Sequence, residues 1–201
     1  MEVNKLNIID NNFNQSFDLG NNQNQEFIFV VLPNNNLTMN STFYLNTNNN
    51  LNVKVVVINN QNWTVDIKLN AVINDNSNIA KLDVLVYGLD KSSTNVISNF
   101  DVVNKTCNNV VFQNIKGILL SDNTKILGEP NLKINTLDVK AKHSLTIGAL
   151  NKDEVFYLMT KGFNLTEVKQ ILINSYLQSI IDSLNQDEQN RCKSLINERL
   201  G

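Results

Sequence analysis

The chain has 201 residues, 42% of them hydrophobic, and a net charge of −2. That length suits one substantial domain with a small appendage, and neither the charge nor any basic stripe interleaved with aromatics offers a surface for nucleic acid. Only 18% of residues are charged, arginine stands only at Arg191 and Arg199, and asparagine fills 39 positions, a bias that AT-rich coding produces, so an individual asparagine is read as carrying little information.

Residues 1–25, which include NNFNQSFDLGNNQNQ, are polar and weakly patterned, and are expected to form a loose lead-in or one marginal strand. The start, MEVNKLNIID, lacks the basic flank and apolar run of a signal peptide. No transmembrane span is present, and a cytoplasmic setting is expected.

From 26 to 150 short β-rich runs recur: EFIFVVL, STFYLNT, LNVKVVVIN, WTVDIKLNAVIN, IAKLDVLVYGL, TNVISNFDVV, NVVFQNIKGILL and NLKINTLDVKAKHSLTIGAL. Branched and aromatic residues suit a pleated surface. Asn, Asp and Ser cluster between the runs, where they tolerate left-handed turns. The spacing fits a sandwich, a barrel or a solenoid. Seven glycines and two prolines are few for tight hairpins, and no exact repeat is visible, so periodicity leaves the three open.

The last β run holds the chain's one histidine. At period two, Leu137, Val139, Ala141, His143, Leu145 and Ile147 share one face, and Asp138, Lys140, Lys142, Ser144 and Thr146 share the other. His143 is therefore expected on the apolar face, where an imidazole needs a hydrogen-bond partner or a metal.

After residue 150 the period becomes helical, and residues 151–201 are expected to form a small α-helical subdomain of three short helices. Asn151 and Glu154, Asn164 and Glu167, and Asn185 and Glu188 each have capping-box spacing. Gly162 has the place of a helix C′ residue. Leu165, Val168, Ile171, Leu172, Tyr176, Ser179 and Ile180 approximate one face of the middle helix. The last helix carries Cys192, Leu195, Ile196 and Leu200. Helices this short must pack on the β domain, on each other or on a partner.

Ordinary catalytic constellations are missing from this pattern. There is no phosphate loop and no dinucleotide fingerprint, and no nucleophile elbow accompanies His143. Asp66, Asp75, Asp83, Asp90 and Asp101 are spread singly and read as solvated turns and outer faces. Cys107 and Cys192 have no ligand spacing and read as free thiols in a reducing compartment.

The segments GILLSDNTKILGEPNLKI and DVKAKHSLTIGALNKDEVFYLMTKGFNLTEVKQILI, within residues 109–182, resemble SufB and SufD, the core proteins of the Suf iron–sulfur cluster assembly system, and SufD more closely. The matching features are the ILLS strand, the P-x-L-x-I strand, the D-V-x-A-x-H-x-x-x-x-G segment and the aromatic helix FYLMTKGF, followed by a helix beginning near Glu167. The stretch from 26 to 108 matches only in its β character. The resemblance implies a mainly β fold: a right-handed parallel β-helix over 26–150, then the C-terminal helical subdomain. Against a typical family member the chain is short, and it reads as a reduced SufD.

The resemblance further implies a scaffold and not an enzyme. In the family two core proteins pair through their β-helices, as SufB with SufD or as identical copies. The helical subdomain docks SufC, an ABC-type ATPase, whose ATP-driven dimerisation opens a site at the core interface. The family's interface histidine matches His143, which becomes a candidate cluster-interface residue and a metal ligand completed by a partner's groups. Candidates for the SufC contact are Phe156, Tyr157, Met159, Gly162 and Phe163, with packing against the β-helix as the alternative for the first three. Two departures stand out: the glycine that commonly follows the histidine is Ser144, and the SufB cluster cysteine would fall near Ile115. No cofactor is therefore expected on the isolated chain, only a transient cluster in the complex. The rival readings are a purely structural docking module and an unrelated β-solenoid binding protein.

Overall fold

A computed structural model describes residues 3–200. Among them eleven strands precede three helices: β1 (Val3–Ile9), β2 (Phe13–Leu19), β3 (Asn24–Val31), β4 (Leu37–Leu45), β5 (Asn50–Asn59), β6 (Thr64–Ile73), β7 (Ile79–Gly88), β8 (Ser93–Val102), β9 (Asn109–Leu119), β10 (Lys125–Ile134), β11 (Val139–Gly148), α1 (Lys152–Thr160), α2 (Leu165–Ile181) and α3 (Gln186–Leu200). The odd strands stack in order into one sheet and the even strands into another, with parallel pairing throughout. Each odd–even pair is one coil, and the coils stack into a β-solenoid of about five turns. The solenoid resolves the choice that spacing left open.

Between the two sheets runs a lumen filled at period two. Phe27, Val53 and Leu82 continue one inward column on the odd sheet, and Met39, Ile67 and Val96 one on the even sheet. These residues are buried. The first coils pack with aromatics: Phe17 stacks on Phe43 at 4.9 Å and lies 4.7 Å from Phe27.

Residues 1–25 correct the expectation of a loose lead-in. Residues 1 and 2 lie outside the described residues, but β1 and β2 form the first coil. Leu19 is buried, and Phe13 and Phe17 pack against the core. A coil buries only alternate residues, so three apolar side chains at even intervals suffice where an ordinary core strand would need more.

The asparagines correct a second expectation, because many of them are structural. At the corners leading into β3, β5, β7 and β9, Asn22, Asn48, Ser77 and Asn108 adopt left-handed φ of 55°, 57°, 60° and 55°. One residue on, Oδ1 of Asn109 accepts from the Asn78 amide at 2.8 Å, Asn78 from the Asn49 amide at 2.9 Å, and Asn49 from the Gln23 amide at 2.8 Å. An outer ladder crosses the even sheet: Asn131 donates to Asn99 at 3.1 Å, Asn99 to Asn70 at 2.8 Å, and Asn70 to Thr42 at 3.2 Å. The ladders advance by 26, 29 and 31 residues at the inner corner, and this drift in coil length hides the repeat.

A second core lies outside the solenoid. The C-terminal halves of β3, β5 and β7 are buried on both faces, which is why their apolar runs lose alternation. Ile28, Val30, Val56, Ile58, Leu85 and Tyr87 pack there with Ile173, Leu177, Ile180, Ile181, Cys192 and Ile196. Polar ties fix the helices over this face. The Tyr87 hydroxyl donates to the Ile173 carbonyl at 2.9 Å, Lys54 bridges Glu26 at 3.1 Å and Asp182 at 3.3 Å, and Arg199 donates to the Pro33 carbonyl at 3.2 Å. The buried face of α2 is Val168, Leu172, Ile173, Leu177, Ile180 and Ile181. It is rotated from the expected stripe, and Leu165 and Ile171 are exposed.

Candidate functional site at the open end of the solenoid

β11 is the last strand of the odd sheet and β10 the last of the even sheet, so the described chain ends its solenoid on two free edges. Unpaired edge amides and carbonyls form a template for another strand. Apolar side chains crowd this end: Leu127 is 63% exposed and Leu145 44%. Leu145 leans across the lumen towards β10, which Gly128 permits, since a Cβ there would stand 2.5 Å from Leu145 Cδ1.

His143 pairs in register with Gln113, as Leu145 does with Ile115. Val139 and Ile147, of the same parity, pack against the lumen core. The imidazole thus belongs to the inward column, as alternation predicts, yet it is exposed. The reason is positional: no coil follows to cover it. Among the described residues it has no hydrogen-bond partner, and no three His, Cys, Asp or Glu side chains are grouped to hold a metal. On the outward face Ser144 donates to Asn114 Oδ1 at 2.7 Å, and Asp138 accepts from the Asn108 amide at 3.0 Å.

Neither thiol joins His143. Ile115, near the place where the resemblance put the SufB cysteine, is fully buried. Cys107 is exposed in the turn before β9, six residues from Gln113, or about 20 Å along an extended strand. Cys192 sits in the helical core, where burial, with the charge of Glu188, pushes its thiol up. A neutral imidazole is a good ligand for a transition metal, and at the open end His143 stands as a single such donor with neither thiol beside it.

The turn after β11 leads directly into α1. Asn151 caps it, accepting from the amides of Asp153 at 2.8 Å and Glu154 at 3.4 Å. Glu154 does not complete a box; its carboxylate accepts from the Tyr176 hydroxyl at 3.0 Å. The Lys116 ammonium lies 3.3 Å from the centre of the Tyr176 ring. Burial lowers the Lys116 pKa, with Glu154 opposing, and raises that of Tyr176. This chain of contacts joins α1, α2 and β9 around a cavity of about 270 Å³ beneath the joint.

No residue of α1 is buried. Phe156 is 71% exposed, Tyr157 59% and Met159 47%. Packing of these side chains against the β-helix is therefore not what the structure has. Gly162 ends the helix at φ +97°, donating to the Met159 carbonyl at 3.0 Å, and the exposed Phe163 follows. Asn164 and Glu167 form a full capping box at the start of α2. Sequence reasoning overlooked Gln113, and its signal was a polar residue at an inward position between Val111 and Ile115.

The family model for the SUF system FeS cluster assembly SufBD core domain matches residues 12–176. An iron–sulfur cluster assembly SufBD family protein of Synechocystis is 35% identical over 69 residues, which cover 34% of this chain and 15% of that protein. The iron–sulfur cluster assembly protein SufD of Plasmodium falciparum is 33% identical over 73 residues, covering 36% of this chain and 5% of that protein. SufD of Escherichia coli is 26% identical over 70 residues, covering 35% and 16%. The aligned stretches are thus a small part of these relatives. Among the described residues no helix is long and apolar enough to cross a membrane.

Proposed function

The chain belongs to the SufBD core family of the SUF iron–sulfur cluster assembly system, and from that membership we propose that it is a SufD-like scaffold subunit. It pairs with a SufB-like core protein, or with its own copy, through the free edges of β10 and β11, and docks a SufC-like ABC ATPase through α1 and the start of α2. It works in the cytoplasm and carries out no reaction of its own. The iron–sulfur cluster is its cargo, built at the paired interface where His143 supplies one ligand and the partner supplies thiolate.

One observation carries this reading. The last strands of both sheets and the adjoining α1 expose large apolar side chains among their charged ones, Leu127 and Leu145 on the strands and Phe156, Tyr157 and Met159 on the helix. A strand edge fits a second solenoid, and an exposed aromatic helix fits a groove on a partner of another kind. The joint at Glu154, Tyr176 and Lys116 stands between them, so a load on α1 is transmitted to β9.

Co-expression with an ABC-type ATPase and a SufB-like protein tests the proposal. A ternary complex is expected, and His143→Ala should keep the fold and the complex while cluster maturation is lost. Failure to capture the ATPase with the intact chain counts against the whole reading. Full maturation by His143→Ala, with capture lost on truncation after Leu150, leaves only the docking module.

A further inference from the structure

We propose that Gln113 is the positioning residue of His143: it accepts a hydrogen bond from the imidazole and so decides which ring nitrogen faces out of the solenoid. This rests on the reading of His143 as an interface ligand. Gln113 is 2% exposed, at an inward position of β9 between the buried apolar residues Val111 and Ile115. Its Nε2 reaches across the lumen and donates to the carbonyls of Ser98 at 3.1 Å and Asn131 at 3.0 Å. Both partners can only accept, so the amide has one possible orientation. That orientation leaves Oε1 buried and without a partner among the described residues.

A buried acceptor left unmade is costly, and native proteins rarely leave one. The residue stacked on Gln113 in the next strand is His143, about 4.8 Å away along the solenoid axis. The imidazole also lacks a partner, and it is the single histidine of the chain. Turning the ring over the lumen mouth gives each group what it lacks. The proton then resides on the nitrogen facing Gln113, and the other nitrogen keeps its lone pair for the interface. The two lumen carbonyls hold the amide, and the amide in turn holds the ring.

Because the chain has one histidine, long-range ¹H–¹⁵N spectra of the full chain, at a pH where the ring is neutral, report His143 alone. The expected result is one dominant tautomer with an N–H proton protected enough to be seen. In Gln113→Leu the tautomers should average and the N–H signal should vanish. Gln113→Met, closer in shape to glutamine, repeats the test if the leucine variant does not fold. Spectra that do not change on either substitution overturn the positioning role. Size-exclusion chromatography with the core partner separates this from the scaffold reading. Unchanged spectra with intact pairing sink the inference alone, and absent pairing with a clear tautomer difference sinks only the scaffold.

Discussion

Asn78 is fully buried, and its side chain is spent on its neighbours. Oδ1 accepts from the Asn49 amide at 2.9 Å, and Nδ2 donates to the carbonyls of Asp75 at 3.0 Å and Asn76 at 3.2 Å. Asn78→Ala removes these bonds and strands a buried amide, so it should cost about 2–3 kcal/mol in urea unfolding. Asn62→Ala, at an exposed turn, should stay within about 0.5 kcal/mol. Equal effects would mean that the ladder holds nothing. Asp83 is a different case. Burial raises its pKa above the ordinary 3.8, and the Asn114 hydrogen bond, Lys54 and Lys81 only partly offset this. A carboxyl raised on folding contributes its stability below the unfolded value and loses it as pH rises through the folded one. At pH 7 the ionised group therefore opposes folding. Asp83→Asn should raise the melting temperature there by about 1–3 °C, the scale of a fraction of a kcal/mol to one in a domain this size. The gain should vanish below the ordinary carboxyl value, and a loss of stability at pH 7 would mean that the Lys54 attraction dominates.

Among the helices, burial divides α1 from α2. Leu177 of α2 is fully buried in the outer core, and Leu177→Ala should cost about 2–5 kcal/mol. Phe156 of α1 touches solvent over most of its surface, so Phe156→Ala should move stability by about 0.5 kcal/mol at most while weakening capture of the ATPase. Loss of stability comparable to the Leu177 variant would show that α1 is a packing element. The same division marks what could be read in the sequence. The strands were legible because many bury alternate residues, as β4, β6 and β8 do, and the caps because an asparagine at the N-cap accepts from the first-turn amides, as Asn151 and Asn164 both do. The buried face of α2 was misplaced because Ile171 and Ile173 are chemically alike, and only the way the helix lies against β3, β5 and β7 decides between them. The asparagine ladders were hidden by unequal coil lengths. The exposure of His143 was beyond any local pattern, since an inward residue is covered only when another coil follows.

A stack of coils is stabilised by each coil's contact with its neighbours, so its ends are its weakest part. Here the helices brace the middle of the odd sheet: Tyr87 is tied to Ile173, Lys54 to Asp182, and the turn at Pro33 to Arg199. Among the described residues no such tie joins a helix to β10, and β11 has one neighbour in its sheet. Local opening should therefore begin at this end, and amide exchange should be slowest in β5 and β7 and fastest among the later strands in β11. Pairing through β10 and β11 would add ladder bonds and cover Leu127 and Leu145, so it should slow β11 exchange by at least about tenfold, the effect of 1.4 kcal/mol. β5 and β7, already held between two cores, should not change. An ATPase bound at α1 should protect α1 first and β9 second, because Tyr176 and Lys116 are the contacts that link them. Protection by a core partner that appears on the even-sheet face and leaves β11 untouched would place the interface on the asparagine ladder, and the open end would then have to be explained in some other way.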